Sequence, residues 1–323
     1  MHSGTPLVFA AAVLIAFGID RYCGEPPVRW HPVVWMGNYL SWLAPHLSPA
    51  DSSVSAPLNA RDLKAFSLGA LAWLAGEALV LIAAWTLQWA FFQLPDVLVA
   101  LLLGLALKPM MAWAMLRREA QAVEDALGES LEAGRKRLSW LVSRDTTNLT
   151  ESEVRESAME SLAENLNDSV VAPLFWFVLL GLPGAAVYRF ANTADAMWGY
   201  RGLRHGVNWE WAGKWAAWAD DVLSWLPARL TAWLLVLVTG HFSLSTLRRE
   251  AAKTPSPNSG WPMAAMALAL GIRLRKPGVY TLNPDGRPPE APDMLKAQKY
   301  ASKVVVAQTL CALAAMIFVA ALR

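Results

Sequence analysis

Apolar and polar stretches alternate along this chain on the length scale of a bilayer. Residues 6–19 form one apolar run, and residues 66–92 a second, interrupted only by Glu77 and Gln88. Gln93-Leu94-Pro95-Asp96 reads as a tight turn, after which residues 97–116 return. Residues 169–180 are apolar, break at Gly181-Leu182-Pro183-Gly184 and resume as residues 185–190. Residues 230–238 and 304–322 complete the set. A helix needs about 20 apolar residues to cross the hydrocarbon core. The pattern predicts an all-α, polytopic integral membrane bundle of about six spans. Residues 6–19 have no basic residue before them and no clear small-x-small site after them. They read as a retained first helix rather than a signal peptide, though short for a span. One membrane-embedded domain over 1–323 is expected, with a polar helical insert at 117–168 and a basic, proline-rich loop within 243–303. The broken segment around Gly181–Gly184 is either one kinked helix or two half-helices. Such interrupted segments point to binding sites in membrane proteins, and a broken or re-entrant arrangement is the expectation here.

The polar stretches add detail. Residues 20–33 hold Pro26, Pro27 and Pro32, which forbid a regular helix. They fit either a solvated loop or a substrate-facing one. Residues 45–57 look like a flexible connection. Glu77 and Lys108 lie at membrane depth, where an ionisable side chain points to function. Either they pair or, equally, Lys108 snorkels to the interface. Residues 117–140 read as a solvated helical hairpin broken near Gly128 or Gly134. Thr150 with Glu153 makes a capping box for the next helix. That helix places Val154, Ala158, Leu162 and Leu166 on a packing side. Simple alternation puts loops 20–65, 117–168 and 243–303, rich in Lys and Arg, on the cytoplasmic side. Residues 191–225 then face the other side.

Composition agrees. The 323 residues are 55% hydrophobic and 17% charged, against about 25% charged in soluble domains. Seventeen Trp residues suit membrane–water interfaces. A net charge of +2 excludes nucleic-acid binding by bulk charge. Cys23 and Cys311 have neither disulfide-framework nor zinc spacing, and the five histidines offer no paired metal motif.

The candidate chemistry begins at Glu160, Glu164 and Asp168. Residues four apart share a helix face, so the three carboxylates form a row, with Ser161 and Asn165 beside them. Their repulsion is easier to understand with a cation, or a substrate carrying one, over the row. Arg144 and Asp145 precede this helix, where a loop would present them to a phosphate. Asn192 and Asp195 share a face with Gly199. Asp220 and Asp221 follow, then Arg229. Ser256-Pro257-Asn258-Ser259-Gly260-Trp261-Pro262 is a rigid loop able to present amides to a ligand.

In order along the chain, several motifs resemble the CobD/CbiB family of cobalamin biosynthesis, the adenosylcobinamide-phosphate synthases. They are Arg144-Asp145-Thr146, Glu160-Ser161-x-x-Glu164-Asn165-x-x-Asp168, Ala172-Pro173 and Asn192-Thr193-x-Asp195-x-Met197-x-Gly199-Tyr200. Asp220-Asp221 with Leu226-Pro227-Ala228-Arg229, and the 256–262 loop, continue the series. His31-Pro32-Val33 with Gly37 is similar too. The likeness covers nearly the whole chain. It departs at Gly24-Glu25-Pro26, where the family shows Gly-Asp-Pro. It departs again at Leu268, at Arg275-Lys276 in place of a Gly-Gly pair, and around Tyr280.

The resemblance implies amide formation between a carboxylate of adenosylcobyric acid and aminopropanol phosphate or a related amino alcohol. Mg²⁺ and ATP are implied as activators of the carboxylate. Glu160, Glu164 and Asp168 would hold Mg²⁺. Glu160, Glu164, Asp220 and Asp221 are the catalytic candidates, with one of the Asp pair deprotonating the attacking ammonium. Arg144 or Arg229 would hold the phosphate. Asp145, Asn165, Asn192, Asp195, Tyr200, Ser256, Asn258 and Trp261 complete the substrate contacts. No P-loop is present, so any nucleotide site is of another kind. A multi-pass protein of the bacterial inner membrane is implied, with corrinoid-pathway enzymes or a second copy as possible associates. A ligand-binding sensor similar to the AmpE type is the competing reading. A transporter built on Glu77, Lys108 and the broken segment is a third.

Overall fold

The computed structural model describes residues 5–47, 62–204, 206–240 and 243–322. The expected flexible connection falls outside these from residue 48 onward, and its first residue, Pro45, is helical. In chain order the elements are α1 (Thr5–Tyr22), α2 (Pro32–Leu47), α3 (Leu63–Phe91), α4 (Asp96–Leu107), α5 (Trp113–Glu129), α6 (Leu131–Leu138), α7 (Glu151–Leu166) and α8 (Ala172–Trp198). The strands β1 (Leu203–Arg204) and β2 (Val207–Asn208) precede α9 (Trp209–Ala212), α10 (Lys214–Thr239), α11 (Leu244–Ala251) and α12 (Gly260–Leu270). The antiparallel pair β3 (Leu274–Lys276) and β4 (Tyr280–Leu282) leads to α13 (Ala291–Ala321). The fold is thus the all-α bundle expected. Among the described residues, five segments are long and apolar enough to cross a membrane: Leu63–Phe91, Asp96–Glu129, Glu151–Trp198, Trp209–Thr239 and Ala291–Ala321. The first expected span, α1, is helical and lies outside that set.

Contacts divide the chain into two compact units. One comprises Met1–Met111, Pro173–Leu223 and Leu322–Arg323. Here α1 packs along α4, burying Ala12, Val13, Ala16, Leu103 and Leu107. Small residues at such contacts let membrane helices approach closely. On α3, Leu71, Leu79, Ile82 and Trp85 are exposed, a face that suits hydrocarbon rather than water.

Two features of this unit correct the sequence reading. The returning span is not continuous: α4 ends in a 3₁₀ turn at Lys108–Met110, because Pro109 has no amide for the helical ladder. Lys108 does not pair with Glu77. Its ammonium is buried, 3.0 Å from Asp20, 2.7 Å from Glu25 and 3.2 Å from the Met111 carbonyl. His31 Nε2 lies 3.3 Å from Glu25. The proline-rich loop therefore brings its carboxylate back to the lysine that the next helices bury. Burial opposes the charge on Glu25, but the bonds to His31 and Lys108 outweigh it and hold this carboxyl below its usual range.

The expected break in α8 is present at Gly181, with φ 72° and ψ −157°. Leu182 N–H, released from the helical ladder, donates to Gln88 Oε1 at 2.8 Å. One of the two polar interruptions in the 66–92 run thus has its partner.

The second unit comprises Ala112–Ala172 and Ser224–Ala321. The α5–α6 hairpin breaks at Ser130, whose hydroxyl caps α6, while Gly134 lies inside that helix. Thr150 and Glu153 form the expected capping box at α7, where Val154, Ala158, Leu162 and Leu166 are fully buried. A π-helical turn, Asn167–Val171, follows α7. Its loosened backbone is satisfied from outside. Ala112 N–H donates to the Ser169 carbonyl at 3.0 Å, and Gln308 Nε2 to that of Val171 at 2.7 Å. Thr231 Oγ1 donates to Asn167 Oδ1 at 3.0 Å. The β3–β4 hairpin packs against α7.

Candidate functional site

The acidic helix is more buried than a solvated row would be. Glu156 and Glu160 are enclosed, and Glu164 is half-buried. Along α7 the acids split into two groups. Glu153 and Glu156 anchor the β3–β4 hairpin: Arg275 Nη2 lies 2.9 Å from Glu153, and Arg273 Nε 3.5 Å from Glu156. One turn on, Glu160 and Glu164 line a pocket of about 160 Å³ with Arg144, Asn165, Lys276 and Tyr280. Arg144 Nη2 donates to Ser157 Oγ at 2.5 Å and to Glu160 Oε2 at 2.9 Å. Its Nε and Nη1 are buried and have no protein partner. Asn165 donates to the Ser161 carbonyl at 2.9 Å. Burial raises the Tyr280 hydroxyl far above the ordinary phenol range, and the charges of Glu160 and Glu164 add to this. It therefore remains a protonated donor. The pocket holds two basic and two acidic side chains in a small volume.

Other expected site residues fall elsewhere. Asp145 is exposed, accepting from the Thr147 amide and hydroxyl, so it shapes the turn before α7 rather than lining the pocket. The carboxylate row ends sooner than four-residue spacing implied. Asp168 sits in the π turn, accepts from Asn167 Nδ2 at 2.8 Å and does not line the pocket. Among the described residues no three His, Cys, Asp or Glu side chains gather as a metal-binding set. Arg144 also binds one oxygen of Glu160, Oε2. Glu160, Glu164 and Asp168 thus do not fit a three-carboxylate Mg²⁺ site, because the π turn breaks the helical register that would align them.

Arg229, Ser256, Asn258 and Trp261 do come together, at a different pocket of the same unit, about 320 Å³ in volume. Arg229 donates to Asn258 Oδ1 at 2.7 Å and to the Pro257 carbonyl at 3.1 Å, and lies over the Trp225 and Trp261 rings. Ser256 Oγ accepts from the Asn258 and Ser259 amides. These bonds brace the loop, and they hold donors of Arg229 that a phosphate would need.

In the first unit, Asn192 Nδ2 donates to Asp220 Oδ1 at 3.3 Å, joining two of the expected motifs. Asp195 lies one turn further along α8 and Asp221 beside Asp220. The Arg204 guanidinium covers the Tyr200 ring at 3.5 Å. This unit also holds an apolar cavity of about 770 Å³, with Glu25 and Lys108 among its lining residues. The three donors of Lys108 are already engaged there.

Lys276 and Tyr280 were not singled out as ligands by sequence. The signal present was weak: three-residue strands flanking Gly278, which turns with φ 74°.

Long apolar helices around buried polar clusters define a multi-pass helical membrane protein with a ligand-sized polar pocket. The chain belongs to the CobD/CbiB family, whose description, CobD/Cbib protein, matches residues 13–309. A "Probable cobalamin biosynthesis protein CobD" of Methanothermobacter thermautotrophicus is 37% identical over 96% of this chain and 98% of its own length. A "Cobalamin biosynthesis protein CobD" of Chromobacterium violaceum is 41% identical over 85% of this chain and 84% of its own. That of Brucella suis is 36% identical over 82% of this chain and 81% of its own. No solved structure matches the chain.

Proposed function

We propose that this protein joins a side-chain carboxylate of adenosylcobyric acid to aminopropanol phosphate, or a related amino-alcohol phosphate, through an amide bond. Family membership carries the wider assignment to cobalamin biosynthesis. The observation that supports the finer reading is the pocket at α7. Arg144 and Lys276 suit a phosphate, Glu160 and Glu164 suit an ammonium, and about 160 Å³ suits a small molecule carrying both. Sites that enclose drug-sized ligands run to about 300–1,000 Å³, so a corrin ring or a nucleotide would lie outside this pocket.

A carboxylate and an ammonium do not condense unaided at neutral pH. Activation of the carboxylate, with Mg-ATP as donor, is part of the proposal. The ammonium must also lose a proton to become a nucleophile. Glu164, which lines the pocket, is a candidate for taking that proton, as are Asp220 and Asp221. No step is assigned to a bound metal. The transporter reading loses its Glu77–Lys108 pair, since Lys108 serves Asp20 and Glu25.

The test uses detergent-purified protein with a corrinoid carboxylic acid, aminopropanol phosphate, Mg²⁺ and ATP, with product mass as readout. The amide is expected, and its loss when ATP is omitted identifies the activator. Glu164→Gln is expected to lower turnover by about 10²-fold or more while the protein stays folded in the membrane. Absence of any amide from folded wild-type protein would overturn the reading.

A further inference from the structure

We propose that Lys276, delivered by the β3–β4 hairpin, is the residue by which the α7 pocket selects a phosphorylated ligand, gripping a phosphomonoester together with Arg144. This rests on the reading above and names the atoms that hold the ligand's anionic end.

Two independent observations point to an anion. Arg144 keeps Nε and Nη1 buried at the pocket with no protein partner. Leaving a buried donor unpaired is costly, so a bound group is expected to complete it. The Lys276 side chain is half-buried at the same pocket, makes no side-chain hydrogen bond or close ion pair among the described residues, and acts electrostatically on Glu160. Its neighbours differ. Arg273 and Arg275 are spent on Glu156 and Glu153 of α7, and so fix the hairpin rather than serve a ligand. The hairpin is therefore an arm, held by two arginines, that carries Lys276 and Tyr280 to the pocket beside Glu160.

The group completing this set must accept from a guanidinium fork and a point ammonium at once. A phosphate dianion has the oxygens and charge to do so. Glu160 and Glu164 line the same pocket and would repel a bare anion. The favoured ligand thus brings its own ammonium to that end. The Tyr280 hydroxyl is hydrogen-bonded with Glu160 and lies 3.8 Å from Met263 Sδ, so its proton is already engaged.

The test measures binding, by calorimetry on the full chain in detergent, with O-phosphoethanolamine, ethanolamine and inorganic phosphate as probes. Wild-type protein should bind O-phosphoethanolamine far more tightly than either part alone. Lys276→Met should weaken it roughly 10- to 100-fold, and Lys276→Arg should retain most of the affinity. In turnover, Lys276→Met should raise KM for the amino-alcohol phosphate with little change in kcat. A hairpin of purely structural importance would instead lower Tm and be insensitive to the arginine rescue. Lys276→Gln serves as a second charge-removing variant should the methionine protein misfold. Unchanged affinity for O-phosphoethanolamine in both overturns the assignment, as does its failure to bind the wild type. The two readings fail separately. Charge-dependent binding without amide product leaves the site and removes the ligase. Product formation with an unchanged KM in Lys276→Met leaves the ligase and removes the site.

Discussion

At the scale of single residues, burial decides what a charge can do. Lys108 was legible as unusual, because an ionisable side chain at membrane depth is costly. Its partners were not legible, since Asp20 and Glu25 are more than eighty positions away and only the folded chain brings them within 3.0 Å. Replacing Lys108 with Met leaves both carboxylates without their ammonium and should cost about 3–5 kcal/mol, read as a lower Tm in detergent. Adding Glu25→Gln should recover part of the loss. Glu25 also predicts an acid limb. Its folded pKa lies below the unfolded value, so the folded state takes up this proton less readily. The stability it contributes is present above the unfolded carboxylate value of about 4.3 and fades as pH falls through the lower folded one. Thermal unfolding followed against pH should show that limb, and Lys108→Met should flatten it. Glu160 and Glu164 were recognisable from their spacing together with the motifs around them, whereas Lys276 became visible only once the hairpin lay on α7.

At the scale of elements, backbone interruptions carry the architecture. Gly181 and Gln88 form one device. The glycine adopts a backbone conformation that side chains resist, and the glutamine accepts the amide that the break releases. Gly181→Ala should cost about 1–3 kcal/mol from the backbone alone, and more because its Cβ would collide with the Gln88 side chain. Gln88→Ala should cost about 1–3 kcal/mol by orphaning the Leu182 amide. The double variant should lose less than the sum, since removing Gln88 also removes the collision. Unfolding midpoints of the three proteins check this. The capping box of α7 and the break in α8 could be read from sequence because their causes are local. The π turn could not. Nothing within Asn167–Val171 announces it, and its loosened carbonyls are answered by Ala112 and Gln308, far away in the chain. That turn is why Asp168 leaves the row.

At the scale of the whole molecule, the chain is a multi-pass membrane protein of the CobD/CbiB family. It should remain in the membrane fraction through an alkaline carbonate wash and be released by detergent. Appearance in the wash supernatant would contradict the five apolar spans. The sequence by itself determined the helical class, the approximate span pattern, the two capping and breaking devices and most polar residues of the pocket. These depend on periodicity, local backbone chemistry and the roughly 30 Å of hydrocarbon that any span must match. Tertiary structure decided which charges are partners, where the carboxylate row ends, which arginines are spent on anchoring and which lysine lines the pocket. Those outcomes depend on contacts between residues tens to over a hundred positions apart. Hydrophobic pattern fixes which face of a helix is buried, but not which side chain from another element will meet it there.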